Sequence, residues 1–305
     1  MKLFWHILYS NLRGTHLSRI KLMNHDAVTI LMPLKNYHPV FLRKALESVM
    51  NQSCPYWRLL IIVEKGDFEH FRRLLAIELA DSRIEIIPNE GRKLAGALNT
   101  GMRHARTNFV AILLADDMWS ADAVLTLTNH IAGFPEVDFF HSSRRYVDEH
   151  DRPISSVYKS KPSFSLEDFK ASSPVKHLLC WRKEKALSFG GMDESLNSVG
   201  PDDYDFPWCM AENGAKFMAI QECLYMYRDH RAGYRLTTHV PLTVHKKELR
   251  RIMRKHRVND AAIERTISVA ESSYLRQCLY ESLLDKWIGM ALRSHQPPVW
   301  REKYK

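Results

Sequence analysis

The chain has 305 residues, 45% of them hydrophobic and 26% charged, with a formal net charge of +9 at pH 7. That describes an ordinary globular protein, long enough for one large domain plus an appendage. Five cysteines (Cys54, Cys180, Cys209, Cys223, Cys278) without CxxC spacing argue against a disulfide framework or a zinc knuckle, and fit buried packing thiols in a reducing compartment.

The charge is unevenly placed. Residues 1–25 carry four basic and no acidic groups, and residues 241–305 carry fourteen basic and seven acidic, which leaves residues 26–240 slightly acidic. A nucleic-acid partner is therefore disfavoured; solvated ends, or attraction to an anionic membrane surface, account for the excess. No apolar run approaches the ~20 residues of a spanning helix. Residues 1–25 have an apolar core of only seven residues, Leu3 to Tyr9, interrupted by His6. Without a signal-like cleavage site they read as an exposed or membrane-surface segment.

From Ala27 the pattern changes. "AVTILMPL" reads as a buried strand broken by Pro33, and "PVFLRKALESVMNQS" as an amphipathic helix with Pro39 near its start. "WRLLIIVEKG" is a second strand ending on Glu64, "DFEHFRRLLAIELA" a second helix, and "RIEIIPN" a third strand. "GRKLAGALNTGMRHA" is a third helix, followed by "NFVAILLADD", a fourth strand that stops on Asp116 and Asp117. Four strand–helix alternations predict a mainly parallel sheet with helices on both faces, a Rossmann-like α/β architecture. Ligands of such sheets bind beyond the strands' carboxyl ends, where Pro33–Asn36, Glu64 and Asp116–Asp117 converge.

Beyond Asp117 the alternation fades. "EVDFFHSSRRYVDEHDRPISSVYKS" reads as a hairpin around "DEHDRP". A strand, Gly-rich loops, a short helix (Asp203–Asn213) and two short strands follow. From His239 the pattern is almost purely helical, with a boundary in "HRVND". The chain divides into a segment 1–25, a main domain 26–235 and a helical region 236–305. Acidic residues cluster in three loops, at Asp116–Asp117, at Asp193–Glu194, and at Asp202, Asp203 and Asp205 of "GPDDYDF". Helix capping, a metal ion, a cationic transition state or a proton to be removed would each explain such groups.

Four stretches, in order, resemble the family 2 glycosyltransferases of GT-A fold: "ILMPLKN…FLRKALESVMNQSCPYWRLLIIVEKG", "NEGRKLAGALNTGMRHARTNFVAILLADDMW", "FGGMDESL" with "GPDDYDF", and "YMYRDHRAGYR". The resemblance covers roughly residues 26–235. It implies an inverting, divalent-metal-dependent transfer of a sugar from a nucleoside diphosphate donor, expected to be UDP-linked, to a hydroxyl of a growing surface glycan. In that reading Asp116 matches the last acid of the metal motif and His230 the histidine that completes the shell of Mn²⁺ or Mg²⁺. Asp203 matches the catalytic base, and Asp202 shares or tunes its proton. Pro33, Lys35, Asn36 and Glu64 would face the nucleotide. Lys93, Asn99, Asp117, Gly190 and Gly191 would lie on the donor side, the glycines through close backbone approach.

Two departures stand out: Leu114 occupies the place of an acid common in the family, and Glu64–Lys65 replaces its usual acidic pair. The C-terminal helices lie outside the resemblance. They would either pack on the catalytic domain or rest on the inner membrane surface beside a lipid-linked acceptor, giving a cytoplasmic, peripheral protein. A nucleotidyltransferase is a rival, but it would want glycine in the first loop and "MPLKNYHP" has none. A degenerate sugar-nucleotide-binding or membrane-surface protein is another, against which Asp116, Asp203 and His230 stand together.

Overall fold

The computed structural model describes residues 27–196, 200–229 and 240–281. Strands β1 (Val28–Leu34), β2 (Trp57–Val63), β3 (Ile84–Pro88) and β4 (Phe109–Ile112) form a parallel half-sheet in the order β3-β2-β1-β4. Helices α1 (Pro39–Met50), α2 (Phe68–Leu74) and α3 (Lys93–His104) connect them. Two-residue periodicity is what builds the layers. Val28, Ile30, Met32, Leu59, Ile61, Phe109 and Ala111 face one core with α1, while Leu31, Leu60, Ile62, Val110 and Ile112 face the other with α3.

Pro33 does not break β1, which continues to Leu34 in register with Val63. The Leu31 carbonyl accepts from the Leu113 N–H at 3.1 Å, so Leu31 turns its backbone groups toward β4. Pro33, two residues on, turns the same way, past the last β1–β4 pair at Leu31–Ile112. No ladder bond is required there, so a residue without an N–H is tolerated.

The remaining strands widen the sheet to eight, in the order β3-β2-β1-β4-β7-β6-β8-β5. These are β5 (Met118–Trp119), β6 (Phe139–Val147), β7 (Leu179–Arg182) and β8 (Phe217–Arg228). β7 runs antiparallel to β4 and to β6, and β6 parallel to β8. Helices α4 (Ala123–Gly133), α5 (Leu166–Phe169), α6 (Lys183–Ser188) and α7 (Phe206–Glu212) complete this half.

Several expectations need correction. The second helix ends at Leu74, and only a short 3₁₀ turn, Glu78–Ala80, follows, with Ile77 exposed. The hairpin forms only loosely: 153–158 folds back on Arg144–Val147 through two isolated antiparallel bridges, Arg144–Tyr158 and Val147–Pro153, beyond the Phe139–His141 stretch that β7 occupies, while β8 takes the other edge of β6. The two strands expected after α7 are one, β8, with a register shift opposite Ser142–Arg144. The helix expected from Asp203 starts at Phe206, after a single wide turn over Pro201–Asp205. α4 went unread. Cys54 and Cys180 are buried, but Cys209 and Cys223 are only partly so.

α8 (Leu242–Lys255) and α9 (Asp260–Glu281) follow, with their break within the expected "HRVND" stretch. Leu249, Ile252, Met253, Val258, Ile263 and Ile267 pack against Phe169, Leu196, Tyr204 and Trp208. These helices are thus seated on the segment around α7. Among the described residues no helix is long and apolar enough to cross a membrane.

Candidate active site

Parallel pairing fixes where the strand ends lie. Leu34 is level with Val63 and Val63 with Pro88, so the loops starting at Lys35, Glu64 and Asn89 leave one rim. Lys35 and Asn36 are exposed there and Pro33 is half-buried. Glu64 lies 4.0 Å from the Lys35 ammonium and accepts from Asn89 Nδ2 at 3.4 Å. The buried Asn89 carboxamide also accepts the Gly91 N–H at 2.9 Å, shaping the turn into α3.

Lys93 opens α3 with φ 58°, a left-handed value uncommon outside glycine, and its side chain is exposed. Asn99, on the next turns, is buried and committed internally. Its Oδ1 accepts the Met192 N–H at 2.8 Å, and its Nδ2 donates to the Met192 carbonyl and to Glu194, both at 3.0 Å. Glu194 also accepts the Arg92 N–H at 2.9 Å, at the positive end of α3. Asn99 therefore shapes the Gly190–Glu194 loop. Gly190 and Gly191 both hold positive φ, 92° and 71°, and a Cβ on Gly191 would lie 2.6 Å from Asn99 Oδ1.

β4 ends at Ile112 rather than on the two acids, which lie in the turn leading into β5 and face different surroundings. Asp117 is 1% exposed, accepts the Tyr225 hydroxyl at 2.6 Å and the Arg228 N–H at 2.7 Å. Burial and the neighbouring Asp116 charge push its carboxyl well above the ordinary range, against those two hydrogen bonds. Asp116 is half-buried, and its backbone carbonyl accepts from Arg228 Nε at 2.8 Å. Arg228 donates further to the Asp148 carbonyl at 3.0 Å and pairs with Asp151. The last residues of β8 are thereby sewn to the Asp116–Asp117 loop. Of the pair, Asp116 is the one left partly exposed. One such oxygen donor, with substrate phosphates, suits Mg²⁺ or Mn²⁺. His230 lies outside the described residues.

The second acidic pair sits on the turn Pro201–Asp205. Buried Asp202 accepts from His177 Nε2 at 3.2 Å. Asp203 is half-buried, and its Oδ1 lies back over Gly200, where a Cβ would stand 1.7 Å away. Burial first, then Asp202, raise the Asp203 carboxyl, while the charges of His177, Arg144 and Lys176 oppose the rise. Arg144 is buried with its guanidinium over the Tyr146 and Tyr227 rings, and its Nε has no hydrogen-bond partner. Burial, and secondarily Arg144, pull the Lys176 ammonium down to about 8.

One run of contacts joins the two acidic pairs. Asp202 bonds His177, the His177 ring lies 5.2 Å from the Tyr225 ring, and the Tyr225 hydroxyl bonds Asp117. Arg144, Lys176, His177, Tyr225 and Arg228 were missed in the sequence. The available signal was weak, two adjacent arginines within the buried strand "FFHSSRRYV". The chemistry on offer is a carboxylate able to take a proton and, linked to it through these contacts, a partly exposed carboxylate able to hold a cation, with Arg144, Lys176 and Arg228 among the charges around them.

A family model described as Glycosyl transferase family 2 matches residues 29–182. The O-antigen biosynthesis protein RfbC of Myxococcus xanthus is 26% identical over 217 residues, 70% of this chain and 16% of that protein. The UDP-Glc:alpha-D-GlcNAc-diphosphoundecaprenol beta-1,3-glucosyltransferase WfgD of Escherichia coli is 35% identical over 101 residues, 33% of this chain and 39% of that one. The chain thus spans well under two thirds of either relative's length. Among solved structures, S. aureus TarS 1-349 in complex with UDP-GlcNAc gives a TM-score of 0.61 at 14% identity, over 85% of this chain and 77% of that one. At that identity the likeness concerns the fold.

Proposed function

Since the chain belongs to glycosyl transferase family 2, we propose that it transfers a sugar from a UDP-sugar to a hydroxyl of a glycan or lipid-linked glycan acceptor, with inversion, during surface polysaccharide assembly. The observation that carries this reading is the contact series Asp202–His177–Tyr225–Asp117, which couples a proton-accepting pair to a cation-competent loop. The names of RfbC and WfgD and the UDP-GlcNAc held by TarS supply the substrate class.

Asp203 takes the proton from the acceptor hydroxyl as that oxygen attacks the anomeric carbon and the bond to the diphosphate breaks. Its raised proton affinity makes it a better base, and His177, Arg144 and Lys176 keep its ionised form accessible. Asp202 is held by His177 and acts on Asp203 through charge. Pro33, Lys35, Asn36 and Glu64 flank the nucleotide, with Lys93 as a further donor-side contact. Gly190 and Gly191 bring backbone up to the sugar, and Asn99 holds that backbone in place. Asp117 serves by orienting Asp116 rather than by touching the donor. When bound, a divalent ion on Asp116 and His230 would neutralise the departing diphosphate. The protein would act at the cytoplasmic face, with the basic ends 1–25 and 241–305 drawn to anionic lipid.

Thermal-shift titration with UDP, UDP-glucose and UDP-GlcNAc, with and without Mn²⁺, tests the reading, because a ligand of the folded state raises Tm. Stabilisation by UDP species, enhanced by Mn²⁺, is expected. No shift with any of them would end it.

A further inference from the structure

We infer that the C-terminal end of α8 belongs to the reaction machinery: Lys255 and His256 clamp the Gly190–Glu194 and Gly200–Asp205 loops in fixed relation, as positioning residues for transfer. The consequence for catalysis rests on the reading of Asp203 as base; the clamp itself does not.

Asp205 is 1% exposed, and both of its oxygens accept from the Lys255 ammonium, at 3.0 and 2.8 Å. His256 Nε2 approaches the same carboxylate at 3.2 Å. Asp205 ends the turn that carries Asp203, since the Gly200 carbonyl accepts the Tyr204 and Asp205 N–H groups at 3.2 and 3.3 Å. Lys255 also lies 3.5 Å from Asp193, which Arg251 approaches at 3.4 Å. Asp193 adjoins Glu194, the residue that holds Asn99 and the Arg92 N–H. One ammonium thus bridges an acid of the glycine loop and an acid of the base-bearing turn.

Packing alone would attach the helix. Leu249, Ile252 and Met253 already bury against Trp208 and Tyr204. A buried carboxylate held by two cations adds little net attachment over apolar contact, but it is directional and fixes angles that oily surfaces leave loose. His256 is itself fixed, stacked on Trp208 at 4.1 Å and 3°, with Nδ1 2.8 Å from Glu212.

A metal is the competing explanation, because ligand atoms of Asp205, Cys209 and His256 lie within 4.8 Å of one another. The ammonium covers both Asp205 oxygens, and both His256 nitrogens face carboxylates. An imidazolium so placed has no lone pair to give a cation.

Hydrogen–deuterium exchange on the purified full-length protein, wild type against Lys255→Met and Lys255→Arg, tests the clamp without any substrate. In Lys255→Met, amides of 190–196 and 200–208 should exchange at least ~10-fold faster, while those of β1, β2 and β4 stay unchanged. Lys255→Arg should restore protection. Hydrolysis of UDP-glucose and UDP-GlcNAc, measured well below Tm, is the second arm. There kcat should fall about 10-fold with donor KM within about 2-fold, because displaced reacting groups cost rate rather than binding. Loop amides unaltered in Lys255→Met would overturn the clamp. Loosened loops with unchanged kcat would overturn its role in positioning. If the wild type neither binds nor hydrolyses UDP-sugars, the transferase reading fails on its own, while exchange still decides the clamp.

Discussion

The Tyr225 hydroxyl donates to Asp117 at 2.6 Å in a fully buried contact, tying β8 to the connection between β4 and β5 across 108 residues of sequence. The Arg228 N–H takes the other oxygen. Removing the phenol strands a buried acceptor, which costs about 1–3 kcal/mol. Tyr225→Phe should lower the urea midpoint accordingly, and should weaken UDP binding in Mn²⁺ by loosening Asp116. Calorimetric titration showing unchanged UDP affinity would separate Asp117 from the placement of Asp116.

Transfer requires Asp203 ionised, so activity should rise with pH through its elevated pKa. Asp203→Asn should lower kcat by about 10²–10⁴-fold, the usual worth of a general base, with donor KM little changed. Lys176 is one of the charges opposing the rise. Lys176→Met should therefore move the acidic limb of the kcat/KM profile to higher pH, and Lys176→Arg should leave it in place. A limb that stays put in Lys176→Met would show that the ammonium does not act on the base.

Gly191 combines a left-handed backbone with a close approach to Asn99 Oδ1. Gly191→Ala must shift that loop or strain φ, at a cost of order 1–3 kcal/mol. The expected signature is a raised donor KM and faster amide exchange at Met192. Gly190→Ala, with nothing within 4 Å of the new methyl but φ 92°, should be milder.

His256 carries a stability prediction with a definite sign. Burial alone would lower its pKa, but bonds to Asp205, Cys209 and Glu212 push it up to about 9 from 6.5. The groups facing it are those three, Lys255 beside it and the Trp208 ring. Its contribution is full below about 6.5 and is lost as pH rises through about 9. Urea denaturation should show stability falling across that window in the wild type, with a shallower fall in His256→Gln. Parallel slopes would remove His256 from the account.

Much of the architecture was legible in the sequence because it depends on local pattern. Alternating apolar runs and amphipathic helices specify β1 to β4 and the order of their loops, whatever the remainder does. Asp116 was visible for a related reason, as an acid closing an apolar run, and Asp202 and Asp203 as a cluster of acids beside Gly200 and Pro201. Legibility failed where pairing is non-local. "RRYVDEHDRPISSVYKS" carries a hairpin's local signals and does fold back through Arg144–Tyr158 and Val147–Pro153, but the pairing of β6 with β7 and β8 has no such local signal. Whether Asp117 faces ligand or interior turned on Tyr225 and Arg228, more than 100 residues away.

By itself, then, the sequence determined a parallel α/β half-sheet, a rim of acidic loops and the family they resemble, because hydrophobic periodicity and short motifs are properties of neighbours along the chain. Only the tertiary structure decided which acid of each pair is enclosed, that Asn99 serves a loop, and that Lys255 bridges Asp193 and Asp205. Burial and charge at a site are summed over every segment that folds onto it, and those sums exist only once distant segments have met.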